Sequence, residues 1–151
     1  MKKPKVGIII GSESDLPLVE KTEKMLAEFG IDYEITVASA HRTPKKVEEY
    51  AKEAENKYDL VIAAAGMAAA LPGAVAAQTP LPVIGIPVHS KQLSGHDALF
   101  AIVQMPSGVP VATVAIDGAG NAAILAAQIL SLKYPGLREK IRKFKAELSR
   151  G

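Results

Sequence analysis

Five short apolar runs recur along the chain, and each gives way to a polar or glycine-bearing segment. They are "KVGIII" (5–10), "YEITVA" (33–38), "LVIAAA" (60–65), "PVIGIPV" (82–88) and "VPVATVAI" (109–116). Short runs rich in β-branched residues, mostly apolar at both odd and even positions, predict strands buried on both faces. Between the runs the apolar spacing changes to the helical period. From Asp15 onward Leu18, Thr22, Met25 and Phe29, joined by Val19 and Leu26, form a stripe that stops at Gly30. Thr43-Pro44 predicts an N-cap followed by proline at the first helical position, where its missing N–H is no loss, and a helix to about Lys57. Segments 71–79 and 97–105 predict two shorter helices. An alanine-rich helix follows at 120–133, and a basic one after Pro135-Gly136.

Strand–helix alternation with apolar strands implies an α/β fold, a three-layer α/β/α sandwich around a central parallel sheet of about five strands. No repeat, low-complexity tract or linker interrupts the pattern, so the expectation is one domain over 1–151 with a basic C-terminal helix. In open parallel sheets ligands sit beyond the carboxyl ends of the strands, where helix N-termini point their N–H groups outward. The segments that follow the five runs are "GSESD", "SAHRT", "GMAAALPG", "HSKQLSG" and "DGAGN". They hold glycines, hydroxyls, an arginine and two of the three histidines, so the polar chemistry gathers at one edge.

Composition narrows the choices. There is no cysteine, which excludes disulfides, thiolate nucleophiles and cysteine-ligated metals, and suits a reducing cytoplasm. The start "MKKPKVGIII" has too short an apolar run for a spanning helix and no signal-peptide cleavage pattern, so the expected location is cytoplasmic. The net charge of +2 is unevenly spread: from Lys133 onward seven Lys or Arg face two Asp or Glu. A basic helix of this kind is ordinarily a solvated face, and no aromatic residues interleave with it, so neither nucleic acid nor membrane is an expected partner.

Among the loops, Gly11 permits a sharp turn, and Ser12 and Ser14 offer hydroxyls beside free amides at a helix start, a cradle for phosphate or carboxylate. Ser14 is expected to cap the helix, and Ser12 and Asp15 to touch a ligand. Arg42 suits bidentate grip on an anion, and His41 can donate or accept a proton. His89 and His96 are expected to be surface residues. The glycines match neither the nucleotide-triphosphatase loop nor the dinucleotide fingerprint, no G-x-S-x-G elbow is present, and no HExxH-like spacing exists, so no metal is expected. These residues point to a phosphorylated small molecule at the strand ends, with one histidine moving a proton.

"GSESDLP", "SAHRTP", "LPG" with Gly66 before it, "IVQMPSGVPVATVAI" and "NAAILAAQIL" together resemble the N5-carboxyaminoimidazole ribonucleotide mutase family of purine biosynthesis, in the family's order from Lys5 to Lys133. The resemblance implies a flavodoxin-like subunit, a homo-octamer with sites at subunit junctions, and no cofactor. It implies transfer of a carboxyl group within the substrate to give 4-carboxy-5-aminoimidazole ribonucleotide. His41 takes the position of the catalytic histidine, and Ser12, Asp15 and Arg42 those of substrate contacts, with Ser14, Ser39 and the Gly66 loop nearby. One stretch departs from the family's "GAGGAAHLPG": here it reads "AAAGMAAALPG", with Met67 at a glycine position and Ala70 at that of a histidine. Two other readings compete: a carboxylase that adds CO2 directly to aminoimidazole ribonucleotide, and a non-catalytic nucleotide-binding relative.

Overall fold

The computed structural model describes residues 2–151. Its strands are β1 (Lys5–Ile10), β2 (Asp32–Val37), β3 (Leu60–Gly66), β4 (Val83–Val88) and β5 (Ala112–Thr113). They form one parallel sheet in the order β2-β1-β3-β4-β5, the doubly wound order expected of a flavodoxin-like fold. The register sets Ile8 beside Ile35 and Ile62, and Ile62 beside Ile84.

The helices are α1 (Leu16–Glu28), α2 (Pro44–Lys57), α3 (Leu71–Ala76), α4 (His96–Val103), α5 (Ala119–Leu130) and α6 (Gly136–Arg150). Strand side chains alternate between two cores. Ile8, Ile10, Ile62, Ile84 and Ile86 meet α1, α5 and α6, whereas Ile9, Val61, Ala63 and Val83 meet α2, α3 and α4. The central strands are apolar at consecutive positions because both of their faces are covered. Ile8, Ile9 and Ile10 are fully buried, and each such side chain stabilises the fold by about 1.5–3 kcal/mol.

The alanines of α5 serve close packing within the chain. Ala122, Ala123, Ala126 and Ala127 are buried, and the buried Thr22 hydroxyl of α1 donates to the Ala119 carbonyl at 2.8 Å. α6 packs Leu137, Ile141 and Phe144 inward and leaves most of its basic side chains solvated. Lys140 donates to the Phe29 carbonyl at 3.0 Å and Arg142 pairs with Glu139 at 2.9 Å.

Three local expectations change. The run 109–116 pairs as a strand only at Ala112–Thr113. Pro87 accounts for the end of the pairing beyond Thr113: its carbonyl accepts from Asp117 N–H at 2.8 Å, so its nitrogen faces β5 too, with no hydrogen to donate. Thr43 precedes α2 but its side chain makes no cap bond. Its hydroxyl instead accepts from Ser39 N–H at 2.9 Å and donates to the Ser39 carbonyl at 3.0 Å. Ser14 is not the cap either. A 3-10 turn at Glu13–Asp15 precedes α1, and Ser12 Oγ accepts the Ser14 N–H at 3.3 Å, so Ser12 caps and Ser14 is capped.

Candidate functional site

A cavity of about 470 Å³ opens at the carboxyl edge of the sheet, between the loops that follow β1, β2, β3 and β4. The β1 loop contributes Gly11, Ser12, Ser14 and Asp15, and the β2 loop contributes Ser39, Ala40, His41 and Arg42. From β3 come Gly66 and an apolar wall of Met67, Ala68, Ala69, Ala70 and Leu71. The residues expected from sequence, His41, Ser12, Asp15, Arg42, Ser14, Ser39 and Gly66, therefore line one cavity.

The β2 loop is held by its own hydroxyls. Ser39 Oγ accepts the Arg42 N–H at 3.1 Å, and Thr43 closes on both backbone groups of Ser39. This tight turn sets His41 and Arg42 at the cavity with exposed side chains. Among the described residues no carboxylate lies within ion-pair distance of Arg42, which leaves its guanidinium available to an anion. In the β1 loop Ser14 Oγ donates to Ser12 Oγ at 3.0 Å, so the two hydroxyls stand together beside the start of α1.

Asp15 is half-buried in the same loop. Burial raises its carboxyl above the usual carboxylate range, and the nearby Asp117 charge raises it further. Asp117 itself does not line the cavity. It acts from behind: its carboxylate accepts the His89 N–H at 2.9 Å and so ties the β5 loop to the β4 loop.

His89 is exposed, as expected of a surface residue, and it also lines the cavity together with Ser90. The signal was available, since His89 directly follows β4 just as His41 closely follows β2. His96 lies outside the cavity, and its Nδ1–H donates to the Leu93 carbonyl at 2.9 Å.

Hydroxyls, a free guanidinium and helix-start amides can hold a phosphate, the Asp15 carboxylate can accept from hydroxyls or an amine, and His41 can exchange a proton. The alanine wall offers no side-chain donor and suits the face of a heterocycle.

Residues 5–150 match the family model of AIR carboxylase. The chain belongs to the AIR carboxylase family. Over 99% of its length, and 85% of the relative's, it is 57% identical to the N5-carboxyaminoimidazole ribonucleotide mutase of Pyrococcus horikoshii. It is 58% identical to the protein of the same name from Thermotoga maritima, over 97% of this chain and 86% of that one. Among solved structures it resembles Treponema denticola PurE with a TM-score of 0.89 at 34% identity, covering 98% of this chain and 93% of that one. The TM-score shows that the two share one fold over nearly their whole length.

Proposed function

We propose that this family member is an N5-carboxyaminoimidazole ribonucleotide mutase, using His41 as its one proton carrier. The observation that carries the reading is the shared cavity: His41 and the unpaired Arg42 stand on a single hydroxyl-braced turn and line it together with Ser12 and Asp15. The names of full-length relatives support the substrate.

The reaction balances within the substrate. The bond between N5 and the carboxyl carbon breaks, CO2 leaves, and His41 delivers a proton to the nitrogen. The ring carbon then attacks the CO2, a carbon–carbon bond forms, and the proton on that carbon leaves to His41. One imidazole, donating in the first half and accepting in the second, serves both, and neither half needs an oxidant or co-reactant. Arg42, Ser12 and Ser14 suit the ribose phosphate, Asp15 the ribose hydroxyls or the amine, and Ser39 and Gly66 complete the cleft beside them.

The exposure of His41 and Arg42 in the single chain supports a homo-octamer in which neighbouring copies close the cavity. Exposed Leu93, Phe100 and Val103 around α4 supply apolar surface for such contacts. Light scattering that returns a monomer removes this part of the proposal. No described helix is long and apolar enough to cross a membrane, and the proposed place of work is the cytoplasm, with a small-molecule nucleotide as partner. The whole chain, 1–151, is taken as one catalytic unit.

The test is a comparison of two feeds. Conversion of the N5-carboxylated nucleotide to 4-carboxy-5-aminoimidazole ribonucleotide is expected. Turnover only of uncarboxylated nucleotide with bicarbonate replaces the mutase with a direct carboxylase. Binding without any turnover leaves a non-catalytic relative.

A further inference from the structure

Three residues other than glycine hold the backbone in the left-handed region: Met67 at φ 56°, Ser94 at 55° and Asp117 at 58°. They follow β3, β4 and β5, so the strained positions gather at the edge that carries the cavity. Two of them have compensating bonds. Asp117 uses its short carboxylate to accept the His89 N–H at 2.9 Å, a tertiary bond that holds its loop in place. Ser94 closes a turn by donating its N–H to the Ser90 carbonyl at 2.9 Å. At Met67 only the backbone contributes, its carbonyl accepting the Ala69 N–H at 2.9 Å. Its side chain is apolar and makes no hydrogen bond, and it is 58% exposed, so burial does not offset the backbone cost.

A strained backbone and an unburied apolar side chain thus fall on one residue, at the rim of the cavity and at the head of the alanine wall. A ligand lying against that wall would bury the thioether and account for both. Resting on the mutase reading, we propose that Met67 covers the bound heterocycle and keeps the released CO2 against it, and so decides whether the CO2 is recaptured or lost.

The chemistry locates where such a cover matters. After the nitrogen–carbon bond breaks and before the carbon–carbon bond forms, the cavity holds aminoimidazole ribonucleotide and free CO2. Nothing covalent joins them at that point. Escape of CO2 leaves the uncarboxylated nucleotide, and recapture gives the product. A polarisable apolar side chain excludes water and fills space around a small non-polar molecule. Glycine at 67 would relax the backbone and remove the cover, whereas leucine would keep an apolar cover on the same backbone.

The experiment compares the unmutated protein with Met67→Gly and Met67→Leu. Each receives unlabelled N5-carboxyaminoimidazole ribonucleotide in 13C-bicarbonate buffer, with carbonic anhydrase to equilibrate CO2. Label in the carboxylated product and the yield of free aminoimidazole ribonucleotide are both read, alongside thermal melting. The expected result is little label and little free nucleotide from the unmutated protein, and a several-fold rise in both for Met67→Gly. Met67→Leu should stay near the unmutated pattern, and Met67→Gly should melt no lower than the unmutated protein, which separates loss of cover from loss of fold.

Equal label and release from the unmutated protein and Met67→Gly overturn the proposal while leaving the mutase reading in place. A rise for Met67→Leu equal to that for Met67→Gly also overturns it, because apolar cover would then not be what position 67 supplies. Failure of the unmutated protein to convert the N5-carboxylated nucleotide overturns the mutase reading and this proposal together.

Discussion

The two edges of the sheet are built on opposite principles, and both do it with an aspartate. At the amino edge, Asp59 lies just before β3 with a side chain only 9% exposed. One of its oxygens accepts the Lys5 N–H at 3.0 Å and the Tyr134 hydroxyl at 3.0 Å, and the other accepts from Lys133 at 2.8 Å. Burial pushes its carboxyl upward, but the bonds from Lys133, Lys5 and Tyr134 outweigh that and hold it below the usual value. At the carboxyl edge Asp15 has no donor, faces a second carboxylate, and is pushed up. The first aspartate joins β1, β3 and the segment between α5 and α6; the second has no donor and stands beside a cavity. The amino edge is arranged for stability, and the carboxyl edge keeps groups uncommitted for a ligand.

Mutations should separate the edges cleanly. The largest effect is expected from His41→Asn, which should lower the rate on the order of 10²-fold or more while leaving nucleotide binding and melting temperature intact. A change below about threefold in a direct rate assay would remove His41 from the proton role.

Next comes Asp59→Asn, expected to cost roughly 2 kcal/mol in urea unfolding, since it weakens charge-assisted bonds and leaves one donor facing another. Its kcat and KM should stay put. The same group predicts pH dependence. The Asp59 pKa is lower in the folded than in the unfolded chain, so its contribution is complete above the ordinary carboxylate range. It is lost as pH falls through the depressed folded value. The Asp59→Asn variant should show a shallower loss of stability over that acid window, measured by urea midpoints against pH.

Tyr134→Phe removes one of those bonds and should cost about 1 kcal/mol. The smallest stability effect, of opposite sign, is expected at the other edge. Because the Asp15 pKa is raised on folding, stability is lost as pH rises from the ordinary carboxylate value through the raised one. Asp15→Asn should therefore melt slightly higher than the unmutated protein near neutral pH without ligand, yet bind nucleotide more weakly. A lower melting point would show that Asp15 is a structural residue like Asp59.

Much of this was legible from periodicity. β1, β3 and β4 are buried on both faces, so after Lys5 their runs are apolar throughout, and their bounds fell within a residue of expectation. β5 was legible only as extended chain, because its pairing depends on a proline in the neighbouring strand. The candidate site divides the same way. Ser12, Asp15, His41 and Arg42 stood out because they lie close behind strands at the ligand-binding edge. Ser12 as cap and Thr43 as clasp for Ser39 were not legible, since each depends on which group a side chain meets, whereas His89 could be read from its place just after β4.

Taken alone, the order of amino acids determined which segments become strands and helices, the parallel sheet with two cores, and the edge at which polar groups collect. These follow from local propensity and from the burial of apolar surface, which period and length express directly. The tertiary structure decided the rest: that Asp59 is satisfied and Asp15 is not, that Asp117 braces His89, and that Met67 carries a left-handed backbone at the rim. Such outcomes depend on distances between atoms far apart in sequence, where a shift of an ångström changes a hydrogen bond into an unpaired charge.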